Sequence, residues 1–227
     1  MLATYRNGRA RLNAYLDDYA FLLGGYIELF ESDFDTRWLE RATRLASALR
    51  SLFFDEHGAG FYFTGNDHEA LIARTKTGFD GAIPSGNAMA ATYLLKLAAY
   101  TGERDLEMLA VDTLHAFQTQ MERSPSGFAH MLAALDFYLS EKREVVVTGR
   151  AEAKAVRSAG SRLWAIYAPI ASIALLDAAC DSPDGIPLFE GKTPGDDPDV
   201  PRLYLCENYA CQAPTDDVTS VISALGT

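Results

Sequence analysis

Apolar positions along the chain follow two alternating patterns. Residues 16–31, LDDYAFLLGGYIELFE, are apolar on nearly every face from Ala20 to Phe30, as in a helix buried on all sides. Residues 36–54 differ. Trp38, Ala42, Leu45, Leu49 and Leu52 recur at steps of three and four, with Arg37, Glu40, Arg41, Arg44 and Arg50 filling the opposite face. That spacing predicts an amphipathic helix with one wet side. The alternation then repeats. Residues 87–100 are mostly apolar. Leu106, Ala110, Leu114, Phe117 and Met121 mark one face of a second amphipathic helix. Residues 129–139, AHMLAALDFYL, form a third all-apolar segment. Inner and outer helices in this order predict helical hairpins arranged as part of an (α/α)6 toroid.

Between the first outer and second inner helix runs a long connection, residues 55–86. It contains GFYFT at 60–64, read as a short strand or hairpin. After Ser140 the pattern changes. EVVVTG at 144–149 is a β-branched run, residues 151–158 look helical, and ASIALL at 171–176 fits a strand or a helical turn. Residues 182–201 are rich in Pro, Gly and Asp and read as loop. LYLC at 203–206 is a short strand, and 216–225 a closing helix capped by Thr215 or Asp216. The expected fold is mainly α: a partial toroid over 1–141, then a small α/β extension over 142–227 with parallel strands.

Charge narrows the partners. The chain has 227 residues with 20 Lys+Arg against 31 Asp+Glu, a net charge of −11. Such acidity argues against nucleic acid, whose phosphates need basic surface, and against docking on an anionic membrane. No run approaches the ~18 apolar residues of a spanning helix. The polar, basic first residues do not read as a signal peptide, so a cytoplasmic protein is expected. Three cysteines, Cys180, Cys206 and Cys211, make no disulfide scaffold and are expected as thiols. The spacing of Cys206 and Cys211, CENYAC, is not the C-x-x-C redox spacing. No histidine or cysteine set has metal-ligand spacing, and no nucleotide-binding fingerprint appears, so neither a metal nor a cofactor is expected.

Candidate chemistry gathers at the starts of the inner helices. Asp17 and Asp18 open the first. Adjacent carboxylates on a helix diverge, so one caps while the other faces a cavity as an acid, a base or a hydroxyl ligand. KTGFDGAIPSGN at 76–87 precedes the second and places Asp80, Ser85 and Asn87 over its N-terminus. His130 opens the third. Parallel inner helices would bring these ends together, with Asp17, Asp18, Asp80 and His130 as the catalytic set. Tyr19 and Tyr62 would stack on a sugar face, and Ser85 and Asn87 would hold its hydroxyls. Turn and capping chemistry alone also accounts for each of these residues. Five such helices leave apolar inner faces uncovered, which predicts self-association or membership of a longer chain.

LDDYAFL, GFYFT, KTGFDGAIPSGNAMAA and LYLCENYACQAP together resemble the C-terminal part of the spermatogenesis-associated protein 20 family, whose bacterial members are thioredoxin-domain-containing proteins of the DUF255 type. The resemblance implies a thioredoxin-like domain followed by a six-hairpin toroid similar to those of N-acylglucosamine 2-epimerases and six-hairpin glycosidases. The chain begins just before LDDYAFL, so that domain and the first hairpins are expected to be absent. Two functions are in view. One is a carbohydrate-processing module acting on a sugar or polyol; the other is a non-catalytic scaffold that binds a ligand or partner.

Overall fold

The computed structural model describes residues 1–69, 72–179, 186–208 and 210–226. It forms two compact units. The first comprises Met1–Phe30, Arg37–Ala98 and Glu103–Tyr138. It opens with an antiparallel hairpin of β1 (Leu2–Arg6) and β2 (Arg9–Asn13). Asn7 and Gly8 form its turn with φ of 53° and 73°, the left-handed pair that suits a tight hairpin.

Helices then follow in the expected order. They are α1 (Leu16–Asp33), α2 (Arg37–Phe53), α3 (Gly86–Thr101), α4 (Arg104–Arg123) and α5 (Ala129–Leu139). Helix α2 is amphipathic as expected, but its buried face is Leu39, Ala42, Ala46, Leu49 and Phe53; of the residues expected there only Ala42 and Leu49 are buried, while Trp38, Leu45 and Leu52 flank it half-buried. Helix α3 has no exposed residue at all. Close packing of α1 on α3 depends on Gly24, where a Cβ would stand 2.6 Å from the Tyr93 ring. GFYFT is not a strand. Its one bridge is antiparallel, Phe54 to Phe61, and further backbone bonds tie Tyr62 to Phe53 and Phe63 to Leu16 and Thr75.

The second unit comprises residues 31–36, 99–102 and 139–227. Its sheet has the strand order β4-β3-β5-β6, with β3 (Arg143–Gly149), β4 (Ala171–Asp177), β5 (Arg202–Glu207) and β6 (Ala210–Cys211). β3 and β4 are parallel and joined through α6 (Lys154–Trp164), a βαβ crossover. β5 runs antiparallel to β3, and β6 antiparallel to β5. One face of the sheet carries Val145, Val147, Ile173, Leu203 and Leu205. They pack on Val156, Ala159 and Leu163 of α6 and on Val218, Val221 and Leu225 of α7 (Val218–Leu225). Asp217 caps α7 by accepting from the Thr219 N–H at 2.9 Å, one or two residues beyond the caps expected from sequence.

Three expectations are corrected here. The protein is not mainly α with a partial toroid. It is a mixed α/β fold, about 49% helix and 16% strand over the described residues, with two sheets. The physical reason is twofold. The polar N-terminal stretch folds as a hairpin around Asn7–Gly8. The run after Ser140 builds a four-stranded sheet, because its β-branched residues bury on both faces. Second, that sheet is mixed rather than parallel. Third, Cys206 and Cys211 are not free thiols. They lie directly opposite each other on β5 and β6 and are joined by a disulfide. Cys180 lies outside the described residues, as does part of the loop expected from residue 182. No described helix is long and apolar enough to cross a membrane.

Candidate functional site

The starts of α1, α3 and α5 are tied to one another by side chains. Asp80, in the loop before α3, accepts the Ser85 N–H at 2.9 Å through Oδ1 and the His130 N–H at 2.8 Å through Oδ2. One carboxylate thus bridges the starts of α3 and α5, where unsatisfied N–H groups and the helix dipoles favour a negative charge. The Asp80 N–H donates to the Gly127 carbonyl at 2.8 Å, which fixes the loop against the turn before α5. Ser85 is buried and caps α3, its Oγ accepting from the Ala88 N–H at 3.2 Å. The Asp17 carboxylate, on α1, accepts from the Gly86 N–H. Burial, then the neighbouring Asp18 charge, raises its pKa, while the Gly86 bond acts the other way.

Asn87 is completely buried. Its Oδ1 accepts from the Phe61 N–H at 2.7 Å, and its amide donates to the carbonyls of Phe61 and Thr77, both at 2.9 Å. These three bonds hold the long connection onto α3 and explain why GFYFT stays ordered without a strand partner. Asp18 is exposed and accepts from the Tyr15 N–H at 2.9 Å, a capping bond one turn back. Tyr19 is buried edge-on against Phe53, and its hydroxyl accepts from the N-terminal ammonium at 2.9 Å. Burial, then the Asp67 charge, raises its pKa.

His130 differs from the others. Its ring is half-buried, and Nε2 is buried without a hydrogen-bond partner. Burial lowers its pKa, and the Asp80 charge opposes that shift. Of the residues expected at the site, Asp80, Ser85 and His130 are linked through backbone N–H groups and Asp17 joins them at Gly86, whereas Asn87 bonds to Phe61 and Thr77. Asp18 bonds to the Tyr15 N–H at the start of its own helix and Tyr19 to the N-terminal ammonium, and Tyr62 belongs to a separate cluster.

Sequence reasoning missed that cluster. Asp55 Oδ2 accepts from Lys76 Nζ at 2.6 Å and from the Tyr62 hydroxyl at 2.8 Å, while Oδ1 accepts from the His57 N–H at 3.0 Å. Lys76, then the His57 N–H and the Tyr62 hydroxyl, hold the Asp55 carboxyl well below the usual carboxylate range. The Arg74 guanidinium lies 4.2 Å from the Tyr62 ring centre and Lys76 Nζ 4.8 Å, both within cation–π reach. Tyr62 is therefore engaged by two cations. Asp55 was visible in the sequence only as a turn residue, and its partner Lys76 lies 21 residues away, beyond any local pattern. A cleft of about 490 Å³ lies in the second unit among Asp196, Asp197, Arg202, Pro214, Thr215 and Asp216, of which the sequence had singled out only Thr215 and Asp216, as helix caps. Among the described residues, no group of three or more His, Cys, Asp or Glu side chains is placed to hold a metal ion.

No family model matches the sequence. Spermatogenesis-associated protein 20 of Homo sapiens is 32% identical over 204 residues, 89% of this chain. The protein of the same name from Rattus norvegicus is 32% identical over 209 residues. The chain is a homologue of part of spermatogenesis-associated protein 20. It spans 26% of the human protein's length. An uncharacterized protein of Caenorhabditis elegans is 22% identical over 207 residues, 91% of this chain and 28% of that protein. In this chain DGAIPSGN ties three helix starts together, and CENYACQAP carries the β5–β6 disulfide.

Proposed function

We propose that the chain serves as a non-catalytic, partner-binding scaffold within its family. One observation carries this reading: the polar side chains gathered at the helix starts are committed to backbone groups. Asp80 holds two N–H groups, Asn87 makes three bonds, Ser85 caps α3, Asp18 caps α1 and Asp17 accepts from Gly86. A carboxylate so engaged keeps open acceptor sites, but its position and orientation are set by the helix ends it caps. The exposed hairpin, with Tyr5 77% and Leu12 66% accessible, offers apolar surface to a second copy or to a further segment of a longer chain. A thioredoxin-like domain elsewhere in the protein, as the family resemblance implies, would then carry its own chemistry.

A second reading, a sugar- or polyol-binding module, is favoured by His130. Its unpartnered Nε2 beside Asp80 and the raised pKa of Asp17 are features a ligand would use. A thermal-shift screen against a panel of sugars and polyols separates the two. The scaffold reading expects no saturable shift. A shift that vanishes in His130→Ala, with that variant's own melting temperature unchanged, supports the sugar reading instead.

A further inference from the structure

The second unit carries an oxidised cysteine pair in a setting that a purely structural crosslink does not require. Cys206 and Cys211 are only five residues apart, so their bond closes a small hairpin that β5 and β6 already close by pairing. The two ends differ in access: Cys206 is 1% exposed, whereas Cys211 is exposed. A thiolate in solution therefore meets Cys211 first, and the sulfur that must leave is the buried one.

A leaving thiolate in a buried setting is costly unless a proton reaches it. The strand register supplies a candidate donor. Glu144 on β3 lies directly opposite Cys206 on β5, and Cys206 directly opposite Cys211 on β6. Directly opposed residues share a face, so Glu144, Cys206 and Cys211 form one row across the sheet, continued on β4 by Ser172. This face is the one turned away from the α6–α7 core. Tyr204, one row along the same face, and Thr148, two rows along, bond to the carbonyl of Thr193 at 2.9 and 3.1 Å and hold down the loop that carries the buried Lys192. The charged groups that act on Glu144 are Lys192 and Lys142; both lower its pKa, but burial outweighs them and the carboxyl is raised, which favours the protonated acid.

We propose that the Cys206–Cys211 disulfide is a thiol–disulfide exchange site that accepts two electrons from a dithiol, with Glu144 placed to protonate the Cys206 leaving group. In the first step a thiolate of the dithiol attacks Cys211 Sγ. A mixed disulfide forms, the Cys206–Cys211 bond breaks, and its electron pair leaves on Cys206 Sγ, which takes the proton of Glu144. In the second step the other thiol of the reductant, as its thiolate, attacks its own partner sulfur in the mixed disulfide. Cys211 leaves as a thiolate and takes a proton from water. The dithiol ends as a disulfide, both cysteines end as thiols, and Glu144 regains its proton from solvent.

The test uses the full oxidised chain with dithiothreitol as the dithiol. Opening is followed by alkylation of Cys206 and Cys211 and peptide mapping, between pH 5.5 and 8, while circular dichroism monitors the fold. The expected result is opening in the folded protein, at a rate per dithiothreitol thiolate that rises as the pH falls. Glu144→Gln, still folded, should be slower by about tenfold or more at the acid end. A pair that opens only when guanidinium unfolds the protein overturns the proposal, as does an equal rate in folded Glu144→Gln. Should that variant not fold, a thiolate-corrected rate in the wild type that stays flat with pH overturns it equally.

Discussion

Replacing Asp80 by alanine removes a side chain that joins the starts of α3 and α5. Its carboxylate accepts two backbone N–H groups, at 2.9 and 2.8 Å, and both belong to helix ends that lack an intrahelical acceptor. A hydrogen bond to a charged group contributes roughly 1.5–3 kcal/mol, and loss of a capping side chain costs about 1 kcal/mol in typical hosts. Asp80 is half-buried, so water reaches part of the vacated space and reduces the penalty. Two bonds at the lower end of the range give a loss of about 3 kcal/mol. In a chain of this size that lowers the melting temperature by roughly 6–12 °C. Asp80→Asn keeps one acceptor oxygen and replaces the other with an amide that cannot accept, so its loss should be about half as large. Urea denaturation followed by circular dichroism, with the slope unchanged between variants, reads both values. A loss below about 0.5 kcal/mol in Asp80→Ala would mean that the helix starts hold themselves, and the capping argument would fail.

Asn87→Ala should be at least as damaging, about 3 kcal/mol, because it leaves the buried Phe61 N–H and two carbonyls without partners; the same urea assay reads it. The adjacent glycines of α1 should respond with opposite signs. Gly24→Ala drives a Cβ into the Tyr93 ring and lowers the urea midpoint, whereas Gly25→Ala, with nothing within 4 Å, raises stability by about 0.5–1 kcal/mol through helix propensity. His130 has a folded-state pKa below its ordinary value of 6.5, so the unfolded chain binds its proton more readily. Stability should therefore fall as the pH drops from about 6.5 towards the folded-state pKa, and His130→Gln should lessen that fall in urea midpoints measured across the window. Sedimentation velocity at micromolar concentration should show self-association that Tyr5→Glu in the hairpin weakens; a clean monomer for the wild type contradicts the hairpin as a contact surface.

The helices of the first unit were legible because their signals are local. The steps of three and four that define α2 and the all-apolar runs of α1, α3 and α5 need no tertiary information. The sheet was legible only in pieces. EVVV and LYLC announced strands, but their relative direction depends on the α6 crossover and on the return of the chain after residue 186, which no local pattern records. The N-terminal hairpin carried a visible signal, Asn7–Gly8 between short alternating segments, which the polar composition of the stretch obscured. At the candidate site, residue choice and convergence were readable from loop chemistry, since Asp, Ser and Asn before a helix are capping residues. What each side chain does was not readable, because a carboxylate that caps and one that faces a ligand have the same sequence signature. The Asp55–Lys76–Tyr62 cluster and the row of Glu144, Cys206 and Cys211 depend on pairings of distant residues and appear only once the chain is folded.

The proposed scaffold role requires that the polar groups at the starts of α1, α3 and α5 stabilise helix ends rather than bind a substrate. The most direct test is a thermal-shift titration of the wild type and Asp80→Ala against the same sugar and polyol panel. The account predicts a melting temperature several degrees lower in Asp80→Ala and no saturable, ligand-dependent rise in either protein. A saturable rise in the wild type that disappears in Asp80→Ala, while that variant melts at the wild-type temperature, would contradict it.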